Sequence, residues 1–183
     1  SMTGYEGAAI YHERIVRNIE AALQVIEGGL QRLDDSPQTK RVRGLLHSRW
    51  QRLQAAGREL ELFVPAGAES LAGVVLFLHG HGEVLLSDNP VFTRLFQQHR
   101  LAVVCPSGRR SWWLDVVCEE FDPEVTPQQW LVQSLVPWIA ETLQVEPPRI
   151  ALLGVSMGGQ GVLQLAYRQA MKFPVVAAIS PAV

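Results

Sequence analysis

Cysteine is scarce in this sequence. Only Cys105 and Cys118 occur among 183 residues, with no CxxC spacing. Two such thiols make no disulfide framework, so an intracellular, cytoplasmic protein with free cysteines is expected. An excess of either charge is also missing. Sixteen Lys and Arg stand against 18 Asp and Glu, a net charge of -2 with a pI near 6.2. That balance argues against nucleic acid or a membrane surface as partner. No apolar run approaches the roughly 20 residues of a membrane-crossing helix. The opening stretch "SMTGYEGAAIYHER" lacks the basic region and apolar core of a secretion signal. There is no internal repeat, no low-complexity tract and no visible metal cluster or cofactor loop. What is present, 48% hydrophobic and 19% charged, is the composition of one soluble domain with a small appendage.

Two segments differ in period. In residues 5–56, Val16, Ile19, Leu23, Ile26, Leu30 and Leu33 fall at alternating steps of three and four, one stripe of a helix. "LDDSPQTK" interrupts it, with Ser36 placed to cap a second helix and Pro37 to open it. Val42, Leu45, Leu46, Trp50 and Leu53 make that helix's stripe, and Gly57 ends it. The expectation is an antiparallel helical hairpin over residues 1–57, packed on the main domain or joining two copies of the chain.

From residue 58 onward the apolar runs shorten: "ELELFV", "GVVLFLHG", "LAVVCPSG", "RIALLGVS" and "VVAAISPAV". The last four are nearly continuous, as in strands buried on both faces of a parallel sheet. Between them lie helical stretches: "PVFTRLFQQH", "TPQQWLVQSLVPWIAETLQ" with Thr126 as cap and Pro127 at the first helical position, and "GGQGVLQLAYRQAMK". Strands alternating with helices predict an α/β domain over 58–183 with a mostly parallel sheet.

Within "IALLGVSMGGQG" (150–161), Gly154, Ser156 and Gly158 match G-x-S-x-G between a strand and a helix. That pattern holds a serine on a sharp turn with its hydroxyl clear of the sheet, and glycine is needed where strand and helix crowd together. The helix N-terminus offers unpaired N–H groups to a developing oxyanion. A dinucleotide or phosphate loop fits poorly, because no G-x-G-x-x-G and no Gly-Lys-Ser/Thr occurs. A second glycine-rich loop, "FLHGHGE", closes a strand on the face where catalytic groups of an open α/β sheet gather.

Together "HGHG" at 79–82, "GVSMGG" at 154–159 and the strand–helix order resemble the α/β-hydrolases, and more narrowly the esterases similar to the esterase D group. The resemblance covers Glu59 to Val183. It implies serine hydrolysis of a small-molecule carboxylic ester, with Ser156 as nucleophile, no cofactor and no metal. It implies an oxyanion hole from the backbone N–H groups of Met157 and His81, with His79 bracing its loop. Arg109, Trp112 and Trp113, in "CPSGRRSWWLD", either line a substrate pocket or serve as core and solvated loop. "EEFDPE" (119–124) is expected to be a solvated loop.

A serine hydroxyl needs a base. In this fold the acid and then the histidine follow the serine, yet no histidine, aspartate or glutamate follows Ser156. His12, His47 and His99 lie on expected helices, earlier in the chain. Three readings stay open: a fragment whose acid and histidine lie beyond Val183, a partner chain that completes the sheet, or a noncatalytic binding protein that uses the helical hairpin. In each, Val175–Ile179 is expected as an uncovered sheet edge.

Overall fold

The computed structural model describes residues 50–182, apart from 69 and 85, together with residue 21. Six strands form one sheet: β1 (Trp50–Ala55), β2 (Arg58–Phe63), β3 (Gly73–Leu78), β4 (Leu101–Pro106), β5 (Ile150–Val155) and β6 (Val176–Ile179). Their order is β1-β2-β4-β3-β5-β6. β1 pairs antiparallel with β2, and β2 with β4; the contacts β3–β4, β3–β5 and β5–β6 are parallel. The expected α/β class with a mostly parallel sheet is the observed one, and β6 is an edge strand among the described residues.

Alternation along β3 shows why the run "GVVLFL" is continuous. Val74, Leu76 and Leu78 enter the core on one face, with Leu131, Ile139 and Val162. Val75 and Phe77 enter the other, with Phe92, Phe96 and Leu153. Every residue of β3 and β4 is buried, and each large apolar side chain removed from water contributes about 1.5–3 kcal/mol.

The helices follow their predicted starts. Helix α1 (Pro90–Gln98) is capped by Asn89, whose side chain accepts the Val91 N–H at 2.9 Å. Helix α2 (Pro127–Trp130) opens on a capping box: Thr126 Oγ1 accepts the Gln129 N–H, and the Gln129 side chain accepts the Thr126 N–H. One long helix was expected from Thr126. Instead a π turn (Leu131–Leu135) separates α2 from α3 (Val136–Leu143), with the Val136 N–H reaching back to the Leu131 carbonyl. Pro137 has no N–H, and its ring would crowd the carbonyl four residues earlier, so the backbone takes an extra residue just before it. Helix α4 (Met157–Arg168) follows Ser156 directly.

One expectation fails at the start of the sheet. Trp50 and Leu53, read as the end of a helical stripe, belong to β1, which pairs with β2 along its whole length. Ala56 (φ 50°) and Gly57 (φ 80°) make the two-residue turn between them. Consecutive positive φ values fit the hairpin turn whose twist matches that of its strands. The Trp50 ring lies 5.4 Å from that of Phe63, and its Nε1–H donates to Thr93 Oγ1 at 2.8 Å. The division drawn at residue 57 thus falls inside a β-hairpin. The stripe Val16–Leu33 and the remainder of the second stripe, Val42 to Leu46, lie outside the described residues. No helix among the described residues is long and apolar enough to cross a membrane.

Candidate active site

Ser156 stands between β5 and α4 with φ 54° and ψ -116°, outside the regions open to an unstrained L-residue. Three backbone bonds hold it there. Its N–H donates to the Ile179 carbonyl at 2.9 Å, and its carbonyl accepts from Gln160 at 3.0 Å and from Ala182 at 3.1 Å. The flanking glycines are sterically required. A Cβ on Gly154 would lie 2.2 Å from the Gly158 carbonyl oxygen, and one on Gly158 would lie 1.9 Å from that of Leu78. The close approach of α4 to β5 and β3 therefore depends on both.

The loop after β3 lies against this turn. A Cβ on Gly80 would sit 3.2 Å from the Val155 oxygen and 3.3 Å from Ser156 Cβ, so loop backbone and serine are neighbours. Glu83 donates to the Gly80 carbonyl at 3.0 Å, closing a turn with His81 and Gly82 at its corners. His81 is exposed, while Met157 is buried at the first position of α4.

His79 joins this loop to the next. Its Nε2 accepts the Gly108 N–H at 2.9 Å, which leaves the hydrogen on Nδ1 to donate to the Gly80 carbonyl at 2.8 Å. Both ring nitrogens are thus occupied in the neutral form. Burial holds its pKa below the ordinary histidine value, partly opposed by the Gly80 bond and by Glu83. Its carbonyl accepts the Trp113 Nε1–H at 3.1 Å, and the two rings meet edge to face at 5.1 Å.

Trp113, one of the alternatives for a pocket wall, is wholly buried and lines no open pocket. A Cβ on Gly108 would lie 2.3 Å from its ring, and one on Gly161 2.3 Å from its Cβ. It is the wedge between the loop after β4 and helix α4. Trp112 is exposed with φ 58°. The stretch 119–124 departs from a solvated loop at two points. Phe121 is buried against Trp113 and Trp130. Asp122 pairs with Arg58 at 2.7 Å, and Arg58 lies 3.6 Å over the Phe121 ring. Backbone N–H groups of Glu124 and Val125, with Arg58, keep the Asp122 carboxyl below its ordinary value.

Arg109 borders a cavity of about 530 Å³ that opens beside the His79 loop, above β2 and β4. Glu61, Cys105 and His79 also line it, and Ser156 does not. The Glu61 side chain was not singled out from sequence, since "RELELF" alternates as if its glutamates faced water. Burial, then the Glu61 charge, push the Cys105 thiol well above its ordinary value. Among the described residues no group of three or more His, Cys, Asp or Glu is placed to hold a metal ion. His99 closes α1, and His12 and His47 lie outside the described residues.

The esterase family model matches residues 58–183. The chain belongs to this esterase family. The fold agrees with solved α/β-hydrolase structures. An S-formylglutathione hydrolase from Agrobacterium tumefaciens shares 20% identity at a TM-score of 0.57, over 72% of this chain and 57% of that one. Fluorophosphonate-binding serine hydrolase F of Staphylococcus aureus shares 18% at 0.55, over 74% and 57%. A ferulic acid esterase from Anaeromyces mucronatus shares 20% at 0.56, over 81% and 63%. The esterase chain thus spans less than two thirds of the length of each. Among curated proteins compared by sequence, none matches.

Proposed function

We propose that this chain carries the nucleophile and oxyanion hole of a serine esterase that cleaves small carboxylic esters through an acyl-enzyme on Ser156. The observation that carries the reading is the strained Ser156 turn pressed against the Gly80 loop, the geometry of a nucleophile elbow. Ser156 Oγ attacks the acyl carbon while a base takes its proton. The N–H groups of Met157 and His81 hold the oxyanion, each worth about 3–4 kcal/mol. The proton passes to the departing alcohol, and water then releases the acid. His79 positions the loop and is not the base, because both its nitrogens are engaged. Residues 157–183 contain no histidine, aspartate or glutamate, so the reading takes its histidine and carboxylate from outside residues 1–183. The partial coverage of the structural relatives is consistent with that.

The test compares residues 1–183 with a chain extended through the expected acid and histidine. The extended chain should hydrolyse 4-nitrophenyl acetate and be labelled by a fluorophosphonate. Ser156→Ala should lose the label and at least about 10³-fold in turnover. Residues 1–183 alone should show at most a feeble rate, since oxyanion contacts without a triad leave a small residue of catalysis. Equal turnover by the two lengths, or labelling of Ser156→Ala, refutes the proposal.

A further inference from the structure

We infer that Trp113 is a positioning residue for the oxyanion hole: its indole N–H sets the His79–Gly80 peptide, and with it the loop that faces Ser156. This rests on the esterase reading of Ser156 and adds to it a residue that touches no substrate.

The contacts close a ring around the serine turn. Trp113 Nε1–H donates to the His79 carbonyl at 3.1 Å, within the buried interior. A Cβ on Gly158 would lie 2.7 Å from that same oxygen, and one on Gly161 would lie 2.3 Å from Trp113 Cβ. The His79 oxygen therefore lies against the first turn of α4 and against the indole, while the Trp113 stem rests one turn further along the helix. Gly80 completes the ring, since a Cβ there would sit 3.3 Å from Ser156 Cβ. A planar trans peptide carries its C=O and its N–H in opposite directions. Fixing the His79 oxygen on the indole thus fixes the Gly80 N–H and the path of the chain into His81. The same side chain sets the spacing between this loop and the helix that begins with the Met157 N–H.

Trp113 is aimed more firmly than core packing requires. Its φ is 55°, beside 58° at Trp112, and a bulky residue keeps a positive φ only where its surroundings enforce it. Ser111 Oγ accepts its N–H at 3.3 Å, and Gln128 Nε2 donates to its carbonyl at 3.1 Å. Ser111 and Gln128 are themselves buried, so two polar side chains are taken from water to hold the backbone of one tryptophan. Trp130, buried in the same core cluster, sits at an ordinary helical φ of -60°.

The experiment uses the extended protein with Trp113 replaced by 3-benzothienylalanine, which puts sulfur where the N–H stood in a ring of nearly the same shape. Trp113→Phe, which also lacks the N–H, is the second variant. Trp130 supplies the control, because its Nε1–H likewise donates to a backbone carbonyl, that of Ala56 at 2.7 Å. With 4-nitrophenyl acetate both Trp113 variants should lose about ten- to hundredfold in kcat while KM stays within about twofold, since a displaced oxyanion donor weakens the transition state alone. Preference for this ester over its thiono analogue, whose sulfur is a weak acceptor for the hole, should fall about tenfold. Hydrogen exchange of the amides of residues 80–82 should quicken. The benzothienyl replacement at Trp130 should lower Tm and move none of these three readings. Unchanged kcat in the benzothienyl protein at Trp113 overturns the inference. A loss shared equally by the oxo and thiono esters, or reproduced at Trp130, shows a general structural role and overturns it too. If the unaltered extended chain hydrolyses neither ester, the esterase reading falls, and exchange then decides the loop contact by itself. Faster exchange at 80–82 in the Trp113 variants alone upholds the fastening of the loop, and unchanged exchange refutes it.

Discussion

Replacing His79 by leucine tests whether the two loops beside Ser156 are fastened by a neutral imidazole. Leucine fills much of the ring's volume but can neither accept the Gly108 N–H nor donate to the Gly80 carbonyl. The Gly108–His79 bond is buried, so its orphaned donor costs about 1–3 kcal/mol, and the altered contact with Trp113 adds about 1 more. A loss of about 2–4 kcal/mol lowers Tm by about 5–15 °C in a chain of this size. The pH dependence is a separate signature. The folded pKa is depressed, so the unfolded chain takes up the proton first as pH falls. The His79 contribution is therefore complete above about pH 6.5 and declines below it until the lower folded pKa is passed. Circular-dichroism melts of wild type and His79→Leu from pH 8 to pH 5 provide the assay. The Tm difference should be widest near pH 7–8 and narrow toward pH 5. A gap that widens on acidification, or a variant as stable as wild type at pH 8, refutes the bonding and tautomer assigned here.

Two shorter tests concern packing. Gly158→Ala drives a methyl into the Leu78 carbonyl, a backbone group that cannot swing aside; it should cost about 3 kcal/mol or more in a denaturant titration and abolish labelling of Ser156. Removing residues 1–56 takes β1 and the Trp50 ring from Phe63 and Phe96, whereas removing 1–49 leaves them. The longer deletion should melt at least about 5 °C lower than the shorter, and sedimentation of the two against the intact chain shows whether residues 1–49 join copies.

The sheet was readable because β3, β4 and β5 are buried on both faces, and that alone makes a run apolar without alternation. The serine turn was readable because Gly154 answers to Gly158 within the junction itself, although the backbone that Gly158 meets, at Leu78 of β3, is supplied only by the fold. β1 was not. "WQRLQA" is built of good helix formers, and Trp50 and Leu53 are three apart, as on a helix. Its strand state comes from pairing with β2, and the positive φ of Gly57 suits a helix end as well as a hairpin turn. Trp113 was ambiguous for a similar reason. Its place was decided by Gly108 and Gly161, which lie in different elements and meet only in the fold. Glu61 left no trace in the sequence, since its burial comes from strand neighbours and from the 3₁₀ turn Leu86–Asp88 that brings Ser87 to it.

The backbone bonds of Ser156 to Ile179 and Ala182 carry a consequence for the order of events in folding. The strained turn is not stabilised by its immediate neighbours alone; it waits for β6 to add to the sheet edge, a long-range closure that is slow relative to helix formation. During synthesis the ribosome must release β6 before the serine can settle at φ 54°. Until then the two bonds that join Ser156 to Ile179 and Ala182 are unmade, so the positive-φ conformation of Ser156 is acquired late, after the rest of the sheet.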